Sequence, residues 1–419
     1  MSYTNCEKKK THKALFVVST TTQAEMLKQI SEELPYWNIS FINIDKWSRK
    51  DEVDRVLARL DVPYRSLEKV NTSEIRNIIM KENPDIIIFG NDNTLIDRLF
   101  IKCSNRMGIP TLLVQDGFLD FRDEIKKAVD FKNRFRYFLN IPKRTIKLIK
   151  KKDRPLYQKM EFMLAELFWG KKGAAEIYGH GECAKIAVFG NAVKDRFVSE
   201  GISPEKIVVT GNPKFDNLFR IKNNNSKEKI CNRWKIPYDA EIILLLTSYF
   251  VENGTWSAKQ REDFVLAIAN AAAKIENSYL IIKIHPPNEN EKDYQQIVHE
   301  LKQVPIICKY ESLPELLDAC SIAIIAISST AALEAMALQK PVVFVNLFNN
   351  FKPSIFKIRG AIFATTAKDI SLTIENALYN PTVRDEMFAS MGEFVYNQSY
   401  LQDGQAAKRI AELIIAMVA

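Results

Sequence analysis

The feature that most constrains this chain is an alternation of short apolar runs with helical segments, and the alternation occurs twice. In the first half "KALFVVS" (13–19) reads as a buried strand, and "TTQAEMLKQISEEL" (21–34) as a helix entered through threonine caps. The strand pattern returns in "NISFINI" (38–44), "PDIIIFGND" (84–92), "IPTLLVQDG" (109–117), "KIAVFGN" (185–191) and "KIVVTGNP" (206–213). Between them "SEIRNIIMKEN" (73–83) and "NTLIDRLFIKCSNRMG" (93–108) read as helices. Strands apolar almost throughout, separated by helices, imply a parallel sheet covered on both faces. After the polar, aperiodic "KNNNSKEK" (222–229) the pattern restarts. Strands are expected at 241–250, 279–285, 304–310, 321–328 and 340–346, with a long helix at 257–275 and a closing helix at the C-terminal end.

A chain of 419 residues is too long for one ordinary core. The expectation is therefore α/β, with two Rossmann-like doubly wound parallel-sheet domains and an interdomain cleft. The first spans 1–221 and carries a basic helical insertion at 121–173. The stretch 222–229 is a linker, 230–400 is the second domain and 401–419 is a closing helix. In such sheets ligands bind at the carboxyl ends of the strands.

Charge is informative once it is located. The chain carries a net +8, but residues 121–173 hold sixteen Lys and Arg against six Asp and Glu, a net of +10. One segment, not the whole surface, is built to meet something anionic. Within it, residues 131–152 interleave aromatic and aliphatic side chains with Lys and Arg, the composition of a peripheral contact with an anionic membrane surface. Nucleic acid is a poorer fit. No apolar run approaches the length of a transmembrane helix, and the apolar stretch near the N-terminus is too short for a secretory signal. The six cysteines are scattered, with no CxxC pair. The expectation is a cytoplasmic, free-thiol protein, peripheral on the inner face of the membrane. No His, Asp or Glu grouping has metal-ligand spacing, so neither metal nor cofactor is expected. A GxGxxG fingerprint, a GxxxxGK[ST] loop and a GxSxG elbow are all absent.

Candidate site residues follow from the carboxyl-end rule. His285, in "YLIIKIHPPNEN", ends a second-domain strand, and Pro286 and Pro287 stiffen the turn that holds it. The bland alternative is a solvated edge histidine. Lys283 precedes it on the same strand. In "IAIIAISSTAALEAMALQKPVVFVN" a strand runs into Ser328, Ser329 and Thr330 at a helix start, where hydroxyls, unpaired N–H groups and the dipole suit an anion. An ordinary N-cap needs only one hydroxyl. Glu334 lies too deep to close a capping box with either serine and is placed to accept from a diol such as a ribose. Asp116 ends a first-domain strand, where a carboxylate can act as general base; Gly117 allows a tight turn and Asp120 is a nearby substitute. An Asp that only caps a turn is the alternative. Asn212 sits where the first domain ends. Thr247 and Ser248 end the first strand of the second domain, and Gly179 and Gly181 flank His180.

Asp116-Gly117, His285-Pro286 and Ser328-Ser329, in this order, resemble the motifs of the GT-B glycosyltransferases, above all bacterial sialyl- and polysialyltransferases of capsule and surface-polymer type. Capsule Kdo transferases and CDP-glycerol glycerophosphotransferases share the His-Pro and Ser-Ser logic. "KIHPPNEN" and "SSTAALEAMALQKPVV" also resemble UDP-N-acetylglucosamine 2-epimerase. The chain departs from the epimerase pattern at its start, with "VVSTTTQAEM" in place of a "GTRPE"-like motif. It also lacks the glycerophosphotransferase "HGTPLK"-like motif and has Glu334 where that family has Phe-Asp.

The resemblance implies a metal-independent transferase that moves a sugar from a nucleotide-activated donor to a hydroxyl of a surface glycan or lipid-linked acceptor. Ser328, Ser329 and Thr330 would bind the donor phosphate, with Ser248 and Lys283 beside them. His285 would donate to a phosphate oxygen, Glu334 would hold the ribose, and Asp116 would deprotonate the acceptor, with Gly117, Asp120 and Asn212 on the acceptor side. The alternatives are a UDP-sugar 2-epimerase or CDP-glycerol glycerophosphotransferase on the same fold, and a non-catalytic nucleotide-sugar-binding scaffold of polymer assembly.

Overall fold

The computed structural model describes residues 11–45, 50–67, 72–92, 94–117, 178–221, 225–252, 254–285, 289–326, 330–348 and 360–419. These fall into two compact units. One comprises the described residues of 11–116 and 178–214 together with 405–419; the other comprises those of 215–404 with Gly117. The basic segment 121–173, with the expected membrane contact at 131–152, lies outside the described residues, as do Asp120, Pro286, Pro287, Ser328 and Ser329.

The first unit is built on seven parallel strands: β1 (Lys13–Val18), β2 (Asn38–Asn43), β3 (Tyr64–Ser66), β4 (Ile86–Phe89), β5 (Thr111–Val114), β6 (Lys185–Val188) and β7 (Ile207–Val209). Their order is β3-β2-β1-β4-β5-β6-β7. The direction of strand addition reverses between β1 and β4, which is the switch point where such sheets take ligands. The described helices are α1 (Thr21–Glu32), α2 (Lys50–Arg59), α3 (Thr72–Glu82), α4 (Leu95–Arg106) and α5 (Asn191–Ser199). Helix α6 (Pro213–Ile221) leaves the sheet after β7. The C-terminal helix closes this unit rather than the second. Ala407, Ile410, Ala411 and Ile414 lie in one core with Phe16 and Val18 of β1 and Leu27 and Ile30 of α1.

The second unit repeats the plan with six parallel strands: β8 (Glu241–Leu246), β9 (Ser278–Lys283), β10 (Ile306–Cys308), β11 (Ile322–Ile325), β12 (Val342–Val345) and β13 (Ala361–Ala364), in the order β10-β9-β8-β11-β12-β13. Its switch point lies between β8 and β11. Helices α7 (Ser226–Trp234), α8 (Ala258–Ala272), α9 (Glu291–Val298), α10 (Leu313–Ala319), α11 (Thr330–Ala337), α12 (Asp369–Tyr379) and α13 (Pro381–Ser399) belong to it, and the C-terminal helix Ala406–Val418 is α14. Ile243, Leu245, Ile282 and Ile324 of the sheet pack against Phe264, Val265 and Ile268 of α8 in its core.

The structure differs from the sequence reading in detail. The stretch 222–229 is not all linker, since α7 begins at Ser226 and buries Ser226, Ile230 and Cys231. The strand expected at 241–250 ends at Leu246, and the residues after it form a loop. Short β3 and β13 and helix α2 are additions. Cys103, Cys183, Cys231, Cys308 and Cys320 are free and buried. Among the described residues no helix is long and apolar enough to cross a membrane.

Candidate active site

At the carboxyl edge of the first sheet, polar residues or glycine replace apolar ones where four of the strands end: Ser19 after β1, Gly90–Asp92 after β4, Gln115–Asp116 after β5 and Thr210–Asn212 after β7. Gln23 ties three of these ends together. Thr20 caps α1, its hydroxyl accepting from the Gln23 N–H at 3.2 Å, which sets Gln23 in the first turn. The buried Gln23 side chain accepts from the Ser19 N–H at 2.8 Å and its hydroxyl at 3.1 Å. It donates to the Gly90 carbonyl at 3.3 Å and to Asp116 Oδ2 at 2.7 Å. The Lys214 ammonium donates to the Asp116 carbonyl at 3.0 Å.

Asp116 shares this edge with two buried carboxyls. Asp92 is fully buried and accepts from the backbone N–H groups of Gly179 at 3.0 Å and Gly181 at 2.7 Å. Burial pushes its carboxyl up, and the two N–H donors offset part of that shift. A side chain at Gly181 would collide with Asp92, and Gly179 has φ +85°, so the glycines around His180 form a backbone cradle for this carboxyl. Asp97 forms a reciprocal capping box with Thr94, whose hydroxyl donates to Oδ2 at 2.6 Å. Burial, with help from the nearby charges of Asp92 and Asp116 and against the Thr94 bonds, raises the Asp97 carboxyl to about 7. One edge thus holds three carboxyls, one poised near neutrality, the arrangement acid–base chemistry requires. Asn212 is buried beneath it, donating to the Gln115 carbonyl at 2.8 Å and accepting from the Lys214 N–H at 2.9 Å. It supports the Gln115–Asp116 turn.

In the second unit the corresponding edge is organised by Glu289. This buried carboxylate accepts from the His285 backbone N–H at 2.7 Å and from the hydroxyls of Thr247 and Tyr294. Its own N–H donates to the His285 carbonyl at 3.1 Å, closing the turn on both sides of the histidine. Lys309 donates to the Glu289 carbonyl at 2.6 Å. Arg261, 6% exposed, pairs with Glu252 and with Asp293 at 3.1 Å. Its guanidinium lies over the Tyr294 ring at 5.3 Å, and Glu289 is among the nearby anions acting on it. His285 is half-buried, with the exposed Tyr249 ring 4.9 Å from its own.

The other expected donor-side residues are distributed around this edge. Ser248 is half-buried and its carbonyl turns the loop by accepting from the Phe250 N–H at 2.7 Å. Thr330 opens α11, and Glu334 stands one turn along it, half-buried. Lys283 is buried with its ammonium donating to the Lys309 carbonyl, and burial lowers its pKa. Sequence reasoning missed Gln23, Asp97, Arg261 and Glu289. The signals present were a glutamine three residues after a capping threonine, the Thr94-x-x-Asp97 spacing, and the acid in the polar tail "PPNEN".

A family model described as UDP-N-acetylglucosamine 2-epimerase matches residues 181–415. No curated protein matches the chain. Among solved structures, the chain is similar to a UDP-GlcNAc 2-epimerase from Neisseria meningitidis bound to UDP-GlcNAc. The TM-score is 0.62 at 16% identity, covering 96% of this chain and 100% of that one. It is similar to MnaA of S. aureus in a co-structure with UDP, with TM-score 0.62 at 15% identity, covering 97% and 96%. The wall teichoic acid polymerase TagF, soaked with CDPG, gives a TM-score of 0.56 at 11% identity, covering 97% and 89%. At these identities the likeness shows the fold, which is of GT-B type.

Proposed function

This chain belongs to the UDP-N-acetylglucosamine 2-epimerase family, and from that premise we propose that it inverts C2 of a nucleotide-activated amino sugar. The family match over residues 181–415 carries the reading. The chemistry supports it. Inverting C2 means breaking its C–H bond on one face and restoring it on the other. That hydrogen becomes acidic enough only as the C1–O bond to the nucleotide breaks, the base taking the proton while the nucleotide leaves with the electron pair. Return of nucleotide to C1 and of a proton to C2 completes the exchange; water adding at C1 instead releases free sugar.

Such a reaction needs a base, a proton donor and an anion site. Asp116 is the proposed base, and Asp97 or Asp92 the partner that returns a proton. Ser328, Ser329 and Thr330 bind the nucleotide phosphate, His285 donates to it as charge develops, and Glu334 accepts from the ribose. No metal enters this reading, since protein donors meet the phosphate charge. A second reading is the sugar or glycerophosphate transfer that the Asp-Gly, His-Pro and Ser-Ser order first suggested, which the likeness to the TagF polymerase keeps in play.

The deciding experiment is incubation with UDP-N-acetylglucosamine in D2O. Epimerisation places deuterium at C2 of the sugar, read by loss of the C2 proton signal and a one-mass-unit gain. A retained C2 hydrogen together with a new glycosidic or phosphodiester bond on an added acceptor overturns epimerisation in favour of transfer.

A further inference from the structure

We infer that Gln23 is the positioning residue for Asp116, holding that carboxyl in its ionised form at a sheet edge crowded with acids. The inference rests on the reading of Asp116 as base, and the geometry singles out Gln23 for the role. The Gln23 amide can sit only one way round. Its oxygen accepts from two donors on Ser19, at 2.8 and 3.1 Å, and its nitrogen meets two acceptors, the Gly90 carbonyl and Asp116 Oδ2, at 3.3 and 2.7 Å. A flipped amide would set oxygen against oxygen and nitrogen against N–H. Gln23 is therefore a fixed N–H donor aimed at one carboxylate oxygen, and such a donor favours the ionised acid.

The surroundings give this donor its purpose. Asp97, on α4, and Asp92, after β4, both act on the same edge, and burial pushes both carboxyls up. The charges of Arg98 and His180 offset part of the rise at Asp92. Arg98 donates to the Asp92 carbonyl at 3.1 Å, Lys214 to the Asp116 carbonyl, and His180 faces Glu200 at 3.4 Å. Three carboxyls in such proximity share protons; the Gln23 N–H biases Asp116 toward release, as the Gly179 and Gly181 N–H groups do for Asp92, while Asp97, raised to about 7, keeps its proton longest. Gln23 thereby divides the labour: Asp116 is ionised and able to accept a proton, while Asp97 retains one it can give. The helix cap at Thr20 and the absence of a side chain at Gly90 both serve to let this amide reach across the sheet edge.

The test is a carbon-13 titration of the aspartate carboxyls in the full chain, with Asp116 assigned through Asp116→Asn. Gln23→Glu replaces the donor with a competing acid and should raise the Asp116 midpoint by about 1–3 pH units. Gln23→Met, which keeps volume but has no donor, should raise it less and guards against a Gln23→Glu that fails to fold. An Asp116 midpoint unchanged in a folded variant overturns the inference. In the D2O exchange assay the acid limb should move with the midpoint; a purely structural role would lower the rate at every pH and leave the limb in place, which also overturns it. If the midpoint moves but the wild-type chain exchanges no C2 hydrogen, Gln23 keeps its role toward Asp116 and it is the epimerase reading that falls.

Discussion

In the first unit the residue that ties the strand ends together is a neutral amide, Gln23; in the second it is a carboxylate, Glu289. The strand order around them is the same, with β4 added beside β1 and β11 beside β8. The difference lies in what each clamp asks of its neighbours. An amide donates and accepts, so Gln23 is satisfied by backbone and hydroxyl groups and still has a donor for Asp116. A carboxylate only accepts, so Glu289 must gather donors and draw on a nearby cation, Arg261, whose own charge is met by Glu252 and Asp293. The first edge therefore leaves acids poised for proton transfer. The second spends its acid on fixing the backbone of His285.

Removing the clamps should show this asymmetry most strongly in the second unit. Glu289→Ala removes the carboxylate that accepts from the His285 N–H and from the buried Tyr294 hydroxyl, leaves Thr247 only the Lys283 carbonyl at 3.4 Å, and takes from Arg261 one of its nearby anions. The expected loss is about 3–5 kcal/mol of stability by urea denaturation. Glu289→Gln keeps an acceptor for His285 and should lose less than half as much. If Gln23→Ala destabilises the chain as severely as Glu289→Ala, the contrast between a self-sufficient and a dependent clamp is wrong.

Asp97 sharpens the contrast through pH. Its folded carboxyl is raised to about 7 from an ordinary 3.8, so the folded state binds more protons than the unfolded state between those values. Stability from this group is full below about pH 4 and is lost as pH rises through about 7. Asp97→Asn, neutral at every pH, should remove that decline, a difference of a few kcal/mol between pH 4 and 8 read from thermal melts. Parallel pH profiles for the mutant and wild type would mean that Asp97 is not a poised acid.

His285→Ala should leave melting behaviour near wild type and reduce turnover about a hundredfold, the usual loss when one donor to a developing charge is removed. The side chain itself is only half-buried, and the Glu289 bond is to the backbone N–H, which alanine retains. A normal rate in a normally folded mutant removes His285 from the reaction.

These residues also show what was legible in the sequence. β4 and β11 are buried throughout and β1 and β8 at all but their first residue, and such runs between helices announce a parallel sheet. Edge strands β3 and β13 are short and only partly buried, so their pattern is faint. Helix α7 hides in a polar stretch because it buries so little. The carboxyl-end rule led to Asp116 and His285, and both do lie just past strand ends, after β5 and β9. It could not single out Gln23 or Glu289, because nothing local marks a polar side chain as buried. Asp97 could be read as a cap, but its company could not: it meets Asp92 and Asp116 only because β4 and β5 pair.

The smallest expected effect tests the most local feature of the first unit. A methyl group on Gly90 would lie 2.6 Å from Gln23 Cγ, 2.8 Å from Cδ and 3.1 Å from Cβ. Gln23 cannot swing away cheaply, because its amide is held at both ends and its own Cβ is among the close atoms. Gly90→Ala should therefore cost about 1–3 kcal/mol by overpacking, and should release Gln23 from Asp116. Gln23→Ala deletes Cγ and the amide, leaving space where the methyl group would go. In the double mutant most of the overpacking should vanish, so the combined loss should fall short of the sum by about 1 kcal/mol or more, well outside the few tenths seen for independent sites. Strict additivity would mean that Gly90 is required for a reason other than the passage of Gln23, and the account of the first unit's edge as built around that one amide would have to be abandoned.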